Sequence, residues 1–114
     1  MTREVAVAEL ERAFAGLVIR ARLLFVELAA QVSPGMGVAN YKVLLAIERM
    51  GSARMSDLAE DMACVKGQLT RLVTDLENRG LVTRQPDPED ARARRVEVTD
   101  LARQRLDVAR RPHE

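Results

Sequence analysis

The run Val65-Lys66-Gly67-Gln68-Leu69-Thr70-Arg71-Leu72-Val73-Thr74-Asp75-Leu76-Glu77-Asn78-Arg79-Gly80-Leu81-Val82 decides the fold, because it joins a one-faced helix to a helix stop and the start of a strand. Leu69, Leu72, Val73 and Leu76 recur at the spacing that places them on one side of an α-helix. Lys66, Gln68, Thr70, Arg71 and Thr74 lie around the rest of its surface. Arg79 followed by Gly80 is a C-terminal signal: a cation in the last turn, then a residue free to take positive φ. A helix of about four turns with Lys, Gln, Thr and Arg outward suits a DNA major groove, which admits one helix and is read by such side chains. Taken alone, these residues fit an ordinary amphipathic surface helix equally well.

Upstream, Ala63-Cys64-Val65 is a brief connection to a short helix from about Met55 to Met62, whose inner face is Leu58, Ala59 and Met62. Two helices joined by so few residues make the pattern of a helix-turn-helix, although its turn lacks the glycine often found there. Before it, a helix from Val38 to Met50 is expected, with Gly37 as a weak N-cap and Gly51 as the C′ residue. Ser52-Ala53-Arg54 reads as a link.

Downstream, Leu81 to Arg84 reads as a strand and Val96 to Thr99 as its partner. The eleven residues from Gln85 to Arg95 hold two prolines, three acids and three arginines, which reads as a mobile, solvated hairpin tip. A hairpin after a helix-turn-helix is a wing. Thr99 then caps a final helix from about Asp100, which Pro112 ends.

The first helix is read from Arg3 to about Gln31. Val7, Leu10, Phe14, Leu17, Ala21, Leu24 and Leu28 follow one another at alternating intervals of three and four, a heptad-like seam. Val18, Phe25 and Val32 form a second row beside it, more apolar surface than one neighbour covers. Either the helix is sunk deep in its own core, or one face meets the domain and the other a second subunit. Gly16 within it costs about 1 kcal/mol against alanine and suits a close helix approach.

The 114 residues are enough for one domain, burying roughly two-thirds of its unfolded surface. Within it the expected division is 1–34 for dimerisation, 35–99 for a winged helix-turn-helix and 100–114 for a short C-terminal helix. The fold class is mainly α with a small β-hairpin. Apolar residues make up 47% but aromatics only 3%, so Leu, Val, Ala and Met must build the core. A net charge of +1 from 18 basic and 17 acidic residues leaves the charge to be judged by its location. With one cysteine, Cys64, no internal disulfide can form, and the absence of a signal peptide or a long apolar run points to the cytoplasm and away from the membrane.

These residues resemble the MarR family of winged helix-turn-helix transcriptional regulators over about Met36 to Leu106. Asn40-Tyr41-Lys42-Val43-Leu44 is similar to the start of the family's second helix. Ser56-Asp57-Leu58-Ala59, Leu69-Thr70-Arg71-Leu72-Val73 and Leu76-Glu77-Asn78-Arg79-Gly80-Leu81-Val82 are similar to its helix-turn-helix, and Asp87-Pro88-Glu89-Asp90-Ala91-Arg92 leading to Val98-Thr99 to its wing. The first two stretches alone would allow several winged-helix families, and the D-x-R wing after a G-L-V strand start narrows the choice.

The resemblance implies a DNA-binding regulator, a repressor by expectation, acting on double-stranded DNA as a symmetric dimer. The helix 66–79 would read the major groove and the wing 84–95 the minor groove. Arg92 would enter the minor groove while Asp90 helps hold the wing. Independently of the family, a guanidinium suits a narrow groove of negative potential, and a carboxylate can fix its plane. Charges in a hairpin tip can also be merely solvated. Arg84, Arg94 and Arg95 are candidates for phosphate contacts, and Lys66, Gln68, Thr70, Arg71 and then Thr74 for base or phosphate contacts. Gly67 would let the backbone approach a phosphate. The resemblance further implies release by a small phenolic or lipophilic effector near Phe14, Phe25 and Tyr41.

Val65 stands where the family commonly has a serine or threonine cap, and the chain ends at Glu114, where relatives continue for further turns of a dimerisation helix. The alternative function is therefore an interaction module that pairs through the Val7 to Leu28 seam, as a heterodimer with a full-length relative, and modulates it without binding an operator alone. Enzymatic chemistry is not indicated: there is no phosphate loop, catalytic constellation, metal-ligand spacing or cofactor motif, and the single His113 next to the C-terminus has no expected role. Cys64 is either an oxidation switch activated by the helix N-terminus or a small apolar residue of the turn.

Overall fold

The computed structural model describes residues 2–112, so His113 lies outside the described residues. Five helices and three strands follow in the order α1 (Arg3–Val32), α2 (Val38–Met50), β1 (Ser52–Arg54), α3 (Met55–Asp61), α4 (Lys66–Asn78), β2 (Val82–Pro86), β3 (Arg94–Val98) and α5 (Asp100–Arg110). The fold class is that read from the residues, mainly α with a small antiparallel sheet in a winged helix-turn-helix. The core lies between α2, α4, α5 and the sheet, where Leu44, Ile47, Leu58, Leu69, Val73, Leu76, Leu81, Val96 and Leu106 are fully buried.

The sheet differs from the expected two-stranded hairpin. Ser52-Ala53-Arg54, read as a link, is a third strand, and the order is β1-β3-β2 with both pairings antiparallel. Nothing local in three residues without a β-branched side chain signals a strand. The pairing of Ala53 with Val96, and the burial of both, supply the reason. The wing strands run further than expected, to Pro86 on one side and back to Arg94 on the other, so Leu81 precedes β2 rather than belonging to it. Pro86 is tolerated because β2 is an edge strand and Pro86 is its last residue. The loop between strands is shorter than expected, and one of its acids, Asp87, is buried rather than solvated.

Turn geometry places the helices. Gly80 takes φ +77° directly after α4, whose C-cap is Arg79 itself rather than a residue of the last turn. In the helix-turn-helix the left-handed position normally suited to glycine is filled by Ala63 at φ 49°. Thr99 caps α5, accepting from the Ala102 backbone N–H at 3.1 Å. Val65 is the N-cap of α4 and makes no side-chain cap bond, as a valine must not, while remaining 72% exposed.

The first helix is anchored only at its C-terminal end. Ala29 and Val32 are buried, Phe25 and Leu28 half-buried, and Arg105 of α5 donates to the Val32 carbonyl at 3.1 Å. Before that, Val7, Leu10, Phe14, Leu17, Ala21 and Leu24 of the expected seam are all exposed, Leu10 by 71% and Phe14 by 66%. Ile19, Leu23 and Val26 make a further exposed apolar row that the seam did not include. A helix of 30 residues is about 45 Å long at 1.5 Å per residue, and the molecule's longest dimension is 61 Å. The reading of α1 as sunk in its own core therefore does not hold for this chain. No helix among the described residues is long and apolar enough to cross a membrane.

Candidate nucleic-acid interface

The first turns of α4 are open on the side away from the core. Lys66, Gly67, Gln68 and Arg71 are exposed, as is Thr74 one turn on, while the apolar stripe Leu69, Val73 and Leu76 is fully buried. A Cβ built on Gly67 would meet nothing within 4 Å, so nothing inside this chain requires glycine there. Thr70 is half-buried and its hydroxyl donates back to the Lys66 carbonyl at 2.9 Å, which occupies its proton within the helix.

The wing folds beside this helix. Between them lies a cleft of about 590 Å³ whose walls include Lys66 and Thr70 from α4, Ser56 from α3, and Arg84, Asp90, Arg92 and Arg94 from the wing. Its cations are Arg54 of β1, Lys66 of α4 and Arg84, Arg92 and Arg94 of the wing, brought together from distant parts of the chain. Such a groove attracts a polyanionic backbone through the field of several side chains acting together.

The wing arginines divide into two kinds. Arg92 and Arg94 are exposed and form no ion pair or side-chain hydrogen bond among the described residues. Arg84 and Arg95, read with Arg94 as phosphate contacts, are engaged within the chain. Arg84 Nη2 donates to Thr74 Oγ1 at 2.5 Å and to the Thr70 carbonyl at 3.3 Å, and its Nε lies 3.8 Å from Glu77 Oε1. The strand β2 is thereby pinned to α4. Arg95 donates through Nε to Ser52 Oγ and through Nη2 to the Ser52 carbonyl, each at 2.8 Å, bracing β3 against β1.

Asp90 also acts differently from a guanidinium clamp. Its Oδ1 accepts from the Arg92 backbone N–H at 3.0 Å, and its carbonyl accepts from Ala93 N–H at 3.0 Å. Asp90 thus shapes the loop backbone and leaves the Arg92 side chain free to reach outward.

Asp87 differs from the other charges of the tip. It is 3% exposed. Its Oδ1 accepts from the Glu89 N–H at 2.8 Å, and its Oδ2 accepts from Arg54 Nε at 2.5 Å and Arg95 Nη1 at 3.3 Å. The Glu89 N–H, then the two guanidinium groups, hold its carboxyl below the usual carboxylate range, against the burial that would raise it. The Asp87 partnership in turn raises Arg54 above its ordinary value. Because Arg54 is the N-cap residue of α3, one buried carboxylate joins the base of the wing to the helix-turn-helix. Its sequence signal is only an Asp before a Pro.

Residues 38–93 match the model of the MarR family. The stretch from α2 to the loop of the wing is thus similar to the MarR family of winged-helix regulators. The match supports a DNA-binding transcriptional regulator. The fold is similar to that of MarR from E. coli in its apo form, with a TM-score of 0.75 at 24% identity over 88% of this chain and 72% of that one. A mutant E. coli MarR complexed with operator DNA is similar at a TM-score of 0.71 and 24% identity, over 96% of this chain and 76% of that one. The transcriptional regulator BldR from Sulfolobus solfataricus is similar at 0.67 and 25% identity, over 96% and 77%. No curated protein matches the sequence.

Of the three residues expected near an effector, Phe25 and Tyr41 meet and Phe14 stands apart. Tyr41 is buried, and Phe25 packs edge-on against it with ring centroids 5.5 Å apart. Phe14 stands about 16 Å further along α1, eleven residues at 1.5 Å each, and faces solvent. A cleft of about 320 Å³ lies instead between α1, α2 and the start of α4, lined in part by Arg22, Lys42, Val43, Met62, Cys64 and Gln68. The Cys64 thiol there is half-buried and donates to Gln68 Oε1 and to the Val65 carbonyl, each at 3.5 Å. Among the described residues no group of three or more His, Cys, Asp or Glu is placed to hold a metal ion.

Proposed function

We propose that the chain works in the cytoplasm as a symmetric homodimeric repressor on double-stranded DNA. Residues 1–34 hold the two copies together, 35–99 read DNA, and 100–114 brace the first helix against the second region. The helix α4 enters the major groove by its first turns, with Lys66, Gln68 and Arg71 toward bases or phosphates, while Arg92 enters the adjacent minor groove and Arg94 meets phosphate. The carrying observation is the cleft between α4 and the wing, where Lys66, Arg92 and Arg94 line one groove. Arg84, Arg95 and Asp87 serve this reading by holding the wing in place and not by touching DNA.

Dimerisation is supported by the exposed apolar length of α1, a patch too extended for a chain that stays alone in water. The same face fits the α1 of a longer relative, so a chain that sediments as a monomer at micromolar concentration would favour the heterodimeric module over the homodimer. Release by a small phenolic or lipophilic effector completes the proposal, with the cleft beside Cys64 as its place, because a ligand there would press on the start of α4.

The test is a gel shift at moderate salt with a duplex that the wild-type chain selects from a random library. Arg92→Ala should weaken binding by about tenfold or more, the usual worth of one groove-reading arginine. Equal, sequence-independent binding by wild type and variant would contradict the assignment.

A further inference from the structure

We infer that Arg79 fixes the separation of the two reading heads and so determines which half-site spacing the dimer accepts. The inference rests on the dimeric DNA-binding reading above and adds to it a residue that touches no DNA. Arg79 caps the end of α4 opposite to the end that enters the groove. Its Nε donates to Asp75 Oδ2 at 2.8 Å, its Nη1 to Ser33 Oγ and the Pro34 carbonyl at 3.0 Å each, and its Nη2 to the Gly35 carbonyl at 3.4 Å. Asp75 Oδ2 accepts in addition from Asn40 Nδ2 of α2 at 2.8 Å. The foot of α1, the first turn of α2 and the end of the recognition helix therefore meet on one guanidinium and one carboxylate. Ser33, the C-cap of α1, is itself buried, so this junction is not a loose surface contact.

The consequence follows from leverage. With α1 as the part shared between copies, a head tilts about the place where α1 gives way to α2, the segment Ser33-Pro34-Gly35 that Arg79 grips beside the Arg105 bond to Val32. The 13 residues of α4 span about 20 Å, so a tilt of about 10° at the Arg79 end moves the Lys66 end by about 3.5 Å, close to one base step. Spacing discrimination of a single base pair thus needs the junction to be held to a few degrees. A planar guanidinium with donors aimed at several acceptors supplies that stiffness, whereas an ammonium can keep the charge but not the fork.

A residue that only capped α4 would weaken binding to every duplex alike, and this separates the two roles. The experiment measures Kd for wild type, Arg79→Lys and Arg79→Ala on the selected duplex, on versions with one base pair inserted or removed at its centre, and on a single half-site. Wild type should lose about tenfold or more on either altered spacing, in line with the usual cost of a misplaced base pair, while both variants flatten that difference to about threefold or less. Their single half-site affinity should stay within about twofold of wild type. Variants that keep the wild-type spacing profile, or that lose half-site binding as much as full-site binding, would overturn the inference. A wild-type chain indifferent to spacing would overturn the dimeric reading and this inference with it.

Discussion

The head of the molecule and its long first helix solve opposite problems. In the head, charged groups that look available in sequence are consumed internally: Arg84 by Thr70 and Thr74, Arg95 by Ser52, Asp87 by Arg54. Along α1, apolar groups that look like core are left uncovered, from Val5 to Val26. The head is complete as one chain and spends its polar groups on its own rigidity. The helix is complete only with something laid against it. A single chain can therefore hold the shape of a winged helix, while in the proposed dimer the placement of two such heads would belong to α1.

That contrast can be broken first at α1. Leu17→Asp puts a carboxylate into the seam, where the usual cost of burying an unpaired charge predicts that self-association weakens by about a hundredfold or more. The head should meanwhile keep its cooperative thermal transition. Sedimentation and circular dichroism on the same sample check both halves, and a variant that still sediments as wild type would show that α1 is not the shared element.

Within the head, neighbouring arginines should part company. Arg94→Ala should lower DNA affinity by about two- to tenfold and reduce the salt slope of binding by about one, with the melting temperature unchanged. Arg95→Ala should lower the melting temperature first, because it removes the brace between β3 and β1. Titrations at several salt concentrations, set beside thermal melts, distinguish the two; identical behaviour would erase the proposed division between reaching and bracing residues.

Acid should reach the wing through Asp87. Its carboxyl is held below the usual range in the folded chain, so its contribution is fully present above the unfolded value of about 3.9 and is lost as pH falls through the lower folded value. Asp87→Asn should lower stability near neutrality and flatten the fall in melting temperature below about pH 4 relative to wild type. An unchanged acid profile would mean that the carboxylate does not hold the wing.

The smallest effect is expected at the start of α4. Val65→Thr supplies the missing cap and should stabilise the chain by about 1 kcal/mol, read as a higher melting temperature, since Val65 is exposed and gives up little packing. A neutral or lower value would place the limit on stability elsewhere than at that cap.

The parts of this fold that were legible in the residues are those with a local cause. Leu69, Leu72, Val73 and Leu76 announced α4 by period, Gly80 its stop, and Thr99 the cap of α5. What escaped was set by partners distant in the chain. The strand β1 exists because Val96 lies opposite Ala53, and Asp87 is buried because Arg54 and Arg95 converge on it from 33 and 8 residues away. The arginines of the wing share one chemistry in sequence, and only the fold separates Arg92 and Arg94, which face outward, from Arg84 and Arg95, which face in. Phe14 and Phe25 lie on one helix face by spacing, yet the body of the domain ends between them, so one is packed and the other bare.

On the proposed reading, two heads, each complete in itself, are set at a fixed distance by α1. Footprinting of the selected duplex, with the mass of the complex measured on the same sample, tests it most directly. Two chains per duplex are expected, with two protected major-groove patches about 34 Å apart, each flanked by minor-groove protection that Arg92→Ala removes. One chain per duplex, or protection spread evenly along the DNA, would contradict it.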